Sequence, residues 1–307
     1  MEFIGNKYIK GREIMYVIET MSLTKNYGKS RGIIDVDLKV KEGEIFGFIG
    51  PNGAGKSTFI RTLLNFIYPT TGGGYIFEKD IVTDSKTIKE SVGYVPGEIK
   101  YYGQSYVKDI LEYAKSFRKD ANNEQIIELV KLLDIDTNKK ISELSLGNKK
   151  KVAIAQALLG SPKLLILDEP TSGLDPLMQK ILFDILNSYR ENGNTVFLSS
   201  HNLIEVGNLC DRVSIIREGK IIETMELKST LSDFGRIIEI QGDIPKEYIE
   251  DISTEIYSTD ENSYKFIFKG DIDKFIKHIS QYKINNLSIR KENLEDTFIK
   301  YYEGDGE

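Results

Sequence analysis

The stretch GPNGAGKST, residues 50–58, follows the apolar run EIFGFI and opens into STFIRTLLNFI. A strand, a glycine-rich turn and a helix in that order are the setting a phosphate-binding loop requires. Gly50, Pro51, Asn52, Gly53, Ala54 and Gly55 make the turn. Its backbone N–H groups can close around phosphate oxygens, and the helix N-terminus adds partial positive charge. Lys56 is expected to reach the β- and γ-phosphates and Ser57 to offer its hydroxyl to Mg²⁺, with Thr58 completing the nucleotide-contacting stretch. The implied ligands are a nucleotide's phosphates and Mg²⁺.

Downstream, LLILDE (residues 164–169) supplies what such a loop needs opposite it. LLILD is a near-continuous apolar run, the pattern of a strand covered on both faces. Asp168 at its end can hold the Mg²⁺ shell, and Glu169, one residue on, is free to polarise an attacking water as general base.

Around these two motifs the chain alternates. YVIET, GIIDVDLKV, EIFGFI, SVGYV, KLLILD, TVFLSS, RVSIIRE and KIIET read as strands. Between GYVP and KLLILD lie SYVKDILEYAKSF, NEQIIELVKLLDI and NKKKVAIAQALLG, a helical insertion in an α/β core. Within it the NKKK run reads as a solvated face. After ELKSTLSDFG the texture changes to short strands (RIIEIQG, SYKFIFKG, NNLSIRK) with PKEYIEDI and DIDKFIKHISQY as helices between them, and NLEDTFIKYYEG as a closing amphipathic helix. The expected organisation is a polar tail over 1–15, an ATPase domain over 16–230 with a helical subdomain at about 100–162, and an α+β accessory domain over 231–307.

Composition narrows the class. Of 307 residues 40% are apolar and 29% charged, with a net charge of −6. No basic field points to nucleic acid. No apolar run approaches the ~20 residues of a membrane span, and MEFIGNKYIKGREI lacks the apolar core of a signal peptide. A cytoplasmic protein is expected. The lone Cys210 excludes an internal disulfide and is expected to be a buried structural thiol.

Motif by motif, the stretch from Tyr16 to about Glu223 resembles the ATP-binding subunit of an ABC transporter. The order is NYG, GPNGAGKST, ELSLGNKKKVAIAQAL, LLILDEPTSGLDP and SSH. The resemblance implies a P-loop NTPase cassette: a RecA-like core, an antiparallel β subdomain, a helical subdomain, and here a small C-terminal α+β appendage. It places Tyr27 against adenine and His201 at the γ-phosphate. Ser145 and Gly147 fall at the start of the signature helix, where they contact the γ-phosphate of ATP bound to a second cassette. Asp175 falls in the dimer loop. Leu146 and Asn148 depart from the usual Gly and Gln of that signature.

A further departure is GYVPGEIKYYGQSY, residues 93–106. The family carries a glutamine, facing Mg²⁺ and the attacking water, where this chain has Gly97. Glu98 is the nearest candidate substitute, and restoring a glutamine at 97 is expected to be compatible with hydrolysis. Tyr101, Tyr102 and Tyr106 are expected to line the groove that receives a permease helix.

The resemblance implies an ATPase that drives export through a separately encoded integral-membrane permease. A second cassette, in a homodimer, completes each site, and the protein sits on the inner face of the membrane through its permease. Two readings stay open beside it: a catalytically impaired, ATP-sensing regulatory subunit, and a soluble ABC ATPase outside transport.

Overall fold

In the computed structural model, residues 8–9, 12–13, 15–28, 30–227, 235–260, 262–292 and 296 are described. Strand β1 (Tyr16–Tyr27) turns into β2 (Ser30–Lys41), an antiparallel pair in which apolar side chains alternate inward. The chain then enters β3 (Ile45–Ile49), whose five residues are all buried, and α1 (Lys56–Leu63). Strands β4 (Thr71–Ile76) and β5 (Lys79–Asp80) return to the first sheet, giving the antiparallel order β2-β1-β4-β5. Neither β4 nor β5 is among the strands read from the sequence: TGGGYI carries too few apolar residues to show an alternation.

Helix α2 (Ser85–Glu90) leads to β6 (Val92–Val95). The insertion follows as α3 (Val107–Lys115), α4 (Asn123–Leu132), a 3₁₀ turn (Ile141–Glu143) and α5 (Leu146–Leu158). The core resumes with β7 (Leu164–Asp168), α6 (Pro176–Glu191), β8 (Thr195–Ser200), α7 (Leu203–Leu209), β9 (Arg212–Arg217) and β10 (Lys220–Glu226). The second sheet runs β10-β9-β3-β8-β7-β6. It is parallel except for β10, which pairs antiparallel with β9.

Phe46 and Phe48 of β3, Phe59 of α1 and Phe197 of β8 form one fully buried aromatic cluster. Phe48 and Phe59 approach to 4.8 Å between centroids, and Phe46 stacks on Phe197 at 5.9 Å. Burying each ring is worth about 1.5–3 kcal/mol. The cluster fixes α1 against the sheet, and with it the loop that α1 begins.

The chain divides into two compact units at Glu226/Leu227. The second unit is a four-stranded antiparallel sheet in the order β12-β13-β11-β14, built from β11 (Arg236–Gly242), β12 (Glu255–Asp260), β13 (Ser263–Phe268) and β14 (Ile284–Lys291). Helices α8 (Lys246–Ile252) and α9 (Ile272–Ile279) share its core through Ile249, Phe275 and Ile279, packed with Ile238 and Phe266. The polar run EIYSTD hid β12 from sequence reading. His278 on α9 is exposed, as expected, but its ring stacks on Tyr248 at 4.0 Å. The predicted closing helix NLEDTFIKYYEG lies outside the described residues except for Asp296, whose carboxylate pairs with Arg290. Within the stretch read as a polar tail, Tyr8–Ile9 pairs antiparallel with Arg12–Glu13.

Candidate nucleotide site

Each parallel strand ends at the same edge of the sheet, and at four of those ends the chain places chemistry. The loop 50–55 follows β3, Gly97 follows β6, Glu169 follows β7 and His201 follows β8. Ligands of open α/β sheets bind at the carboxyl ends of the strands.

Gly55 caps α1 with φ +112°, a conformation that side chains rarely adopt, and with no side chain hydrogen-bonded to the helix N-terminus. No acidic residue stands in the first turn of α1. The bare N–H groups and the helix dipole are therefore open to an anion without competition. Lys56 is buried, and its Nζ donates to the carbonyls of Gly50 (2.6 Å) and Pro51 (3.2 Å). The same ammonium lies 3.1 Å from Glu169 Oε1. That oxygen lacks hydrogen-bond geometry, so the pair is coulombic.

Glu169 sits between two partners. Its Oε2 lies 2.7 Å from His201 Nδ1, and its backbone adopts φ +50°. The left-handed turn is held by its N–H, which donates to both the carbonyl and the hydroxyl oxygen of Ser199. A non-glycine residue in this region stores strain, and such strain gathers at functional sites. The turn directs the Glu169 side chain away from the line of β7.

Asp168 is buried, and Ser199 Oγ donates to its Oδ1 at 2.6 Å. Its Oδ2 is buried with no hydrogen-bond partner among the described residues. A buried carboxylate oxygen left bare is costly unless a cation faces it, so the site fits a divalent ion. Asp168 with the half-buried Ser57 hydroxyl would make an oxygen-only donor set, which suits a hard cation such as Mg²⁺. Among the described residues no group of three or more His, Cys, Asp or Glu could cage a metal without such help.

Tyr27 ends β1 with its ring exposed and Lys25 Nζ 5.4 Å from the ring centre, an open face available for stacking. Ser145 caps α5 and accepts from the Asn148 N–H at 3.3 Å. Gly147 packs so closely on the loop before α6 that an added Cβ would lie 2.5 Å from the Gly173 carbonyl oxygen. Asp175, exposed, caps α6 by accepting from the Met178 N–H at 3.0 Å. Ser145 and Asp175 thus both stand at helix N-termini on the cassette surface.

Three expectations are corrected. Glu98 is exposed and pairs with Lys100 at 3.1 Å, so it takes no part at Asp168. Tyr101 is half-buried and its hydroxyl donates to Gln156 Oε1 on α5, so it packs the insertion; burial pushes its phenol pKa well up. Tyr102 beside it is 89% exposed. The lysine run is only partly solvated: Lys150 and Lys151 are buried. Lys150 Nζ donates to the carbonyls of Glu169 (3.1 Å), Pro96 (3.3 Å) and Gly97 (3.4 Å). Burial pushes the Lys150 pKa down, while the charges of Asp168 and Glu169 pull it back up.

Residues 33–172 match the ABC transporter family. The bacitracin transport ATP-binding protein BcrA of Bacillus licheniformis is 33% identical over 304 residues, covering 94% of this chain and 98% of that protein. The Nod factor export ATP-binding protein I of Rhizobium etli is 29% identical, with 94% of each chain covered. A solved ATP-binding subunit of an ABC transporter superposes with a TM-score of 0.64 at 27% identity, over 69% of this chain and 91% of that one. A dimeric ATP-binding cassette bound to ADP and Pi, 23% identical, shares the fold with a TM-score of 0.62 over 68% of this chain and 98% of its own. The chain belongs to the ATP-binding proteins of ABC transporters, a P-loop cassette and an ATPase. Among its described residues no helix is long and apolar enough to cross a membrane.

Proposed function

We propose that this cassette drives export through a separately encoded membrane permease, sits on the inner face of the membrane through that partner, and closes as a homodimer around ATP. The carrying observation is the Glu169 carboxylate, held between His201 and Lys56 at the mouth of the phosphate loop. Export is supported by relatives named for bacitracin transport and Nod factor export, which align through the C-terminal α+β unit as well as the cassette. The net charge of −6 supports a protein rather than a nucleic-acid partner.

In this reading Tyr27 stacks on adenine and the 50–58 loop wraps the phosphates. Lys56 leaves Glu169 for the β- and γ-phosphates as nucleotide arrives, exchanging one anion for another. Glu169, released from that ion pair, takes a proton from the attacking water, while His201 orients its carboxylate and contacts the γ-phosphate. Ser57 and Asp168 would hold Mg²⁺, which neutralises charge on the phosphate oxygens when bound. Ser145 and Gly147 present a hydroxyl and helix N–H groups to the γ-phosphate of the opposite subunit, with Asp175 in the loop that meets it. Each site is then incomplete in one copy, and ATP holds two copies together.

Glu169→Gln tests this directly. The amide keeps the shape and the contact to His201 but cannot accept the proton. Turnover should fall by about 10²–10⁴ with nucleotide binding kept, and an ATP-bound dimer should accumulate on a sizing column. Wild-type hydrolysis by this variant would remove Glu169 as the base.

A further inference from the structure

The signature helix α5 reaches two places at once. Its cap, Ser145, faces outward at the cassette surface, while Lys150 within the same helix turns inward and is 1% exposed. The three carbonyls that receive its ammonium come from the ends of two strands, Pro96 and Gly97 after β6 and Glu169 after β7. A lysine has three protons to donate, and here each has an acceptor. None of these contacts is with another side chain, so Lys150 holds backbone. One carbonyl belongs to the strained residue that carries the carboxylate; another belongs to the residue that faces Asp168.

We infer that Lys150 is a positioning residue for hydrolysis, tying the Gly97 loop and the Glu169 turn to the signature helix so that a shift of α5 on engaging a second subunit's nucleotide is felt in the chain's own site. The inference rests on the reading of Glu169 as the base. It also bears on the missing side chain at 97. A glutamine would tie that loop to the site from the loop's own side, whereas here the tie comes from the helix. The loop can keep glycine because Lys150 takes hold of its carbonyl. A buried ammonium needs acceptors wherever it lies; a side chain that merely filled space would be replaced by a methionine of similar length without loss of turnover.

The experiment uses the full chain with MgATP and compares Lys150→Met, Lys150→Gln and Glu169→Gln with the natural protein, normalising turnover to nucleotide-binding sites. Lys150→Met is expected to lower kcat at least about tenfold with KM within about twofold, the pattern of a lost contribution to the transition state alone. Lys150→Gln, which retains two donors, should recover part of that loss. Hydrogen exchange across residues 95–99 and 168–171 should rise in Lys150→Met without nucleotide, a readout independent of activity. A per-site kcat within twofold of the natural protein, with only a lower melting temperature, overturns the proposal. Should Lys150→Met fail to fold, Lys150→Gln decides: a per-site loss of kcat supports the proposal, and unchanged kcat overturns it. Loss of turnover in Lys150→Met alongside retained turnover in Glu169→Gln would instead overturn the base assignment and leave the lysine's role standing.

Discussion

Gly97 faces the carboxylate of Asp168 so closely that a Cβ added there would lie 3.0 Å from Oδ2 and 3.2 Å from Cγ. Asp168 has little freedom to yield, because it is buried and its other oxygen is held by Ser199. The absent glutamine is therefore a matter of space as well as of chemistry.

Restoring a side chain at 97 should cost more than the motif alone implies. Gly97→Ala and Gly97→Gln should each lose about 1–3 kcal/mol of stability, the usual penalty for overpacking, and hydrolysis should slow as the metal-side carboxylate is displaced. Thermal melting and phosphate release on both variants check this. Since alanine brings the clash without the amide, a slowed alanine variant beside an unaffected glutamine variant would show that the amide compensates.

In the proposed cycle Lys56 serves two anions in turn, Glu169 and then the phosphates, so its removal should show in two assays. Lys56→Met keeps the apolar stem but loses the charge-assisted contacts, and ATP affinity should fall by about 1.5–3 kcal/mol. Without nucleotide, Glu169 Oε1 would lose its counter-charge, and the melting temperature of the empty protein should fall too. A binding loss with unchanged stability would mean that the ion pair to Glu169 contributes nothing to the resting state.

The adjacent tyrosines should part company. Tyr101→Phe removes the hydroxyl bond to Gln156 and should cost about 1 kcal/mol of stability. Tyr102→Ala touches a ring that is almost wholly exposed. It should leave folding and the basal ATPase rate as they are while weakening co-purification with the permease. Undiminished co-purification would place the docking groove elsewhere.

Cys210 should be chemically silent in the folded protein. Burial pushes its thiol well above the ordinary range, and the nearby charges of Asp211 and Glu44 push it further. Only the thiolate attacks disulfide reagents. Titration with an aromatic disulfide reagent at neutral pH should find no reactive thiol in the native chain and one after denaturation. Rapid native labelling would show that α7 opens readily.

Much of the site could be read directly because its chemistry is local. Glycines, a lysine and a serine in consecutive positions between an apolar strand and a helix can make a phosphate cradle wherever they sit, since backbone N–H groups and a helix terminus do the work. LLILD followed by Glu169 is likewise self-contained: five buried residues and then a residue forced to turn. What escaped reading depends on elements distant in the chain. Lys150 and Lys151 carry the signature of a solvated face, and only the packing of α5, on β6 for Lys150 and beside Asp134 after α4 for Lys151, buries them. Tyr101 and Tyr102 are chemically identical, and a loop has no period from which to tell which ring faces Gln156 and which faces water.

The sequence by itself determined that this protein binds nucleotide phosphates between a β-strand and a helix, with an acidic pair opposite, because those interactions follow from residue type and backbone conformation over a few consecutive positions. Only the tertiary structure decided how that site is held together. The parallel register of β6 and β7 sets Val95 against Leu167 and thereby brings Gly97 against Asp168. The burial of α5 carries a lysine to the carbonyls of both loops. Such contacts arise where separate elements meet, and no local pattern encodes them, because their energy exists only once the sheet and the helix have excluded water between them.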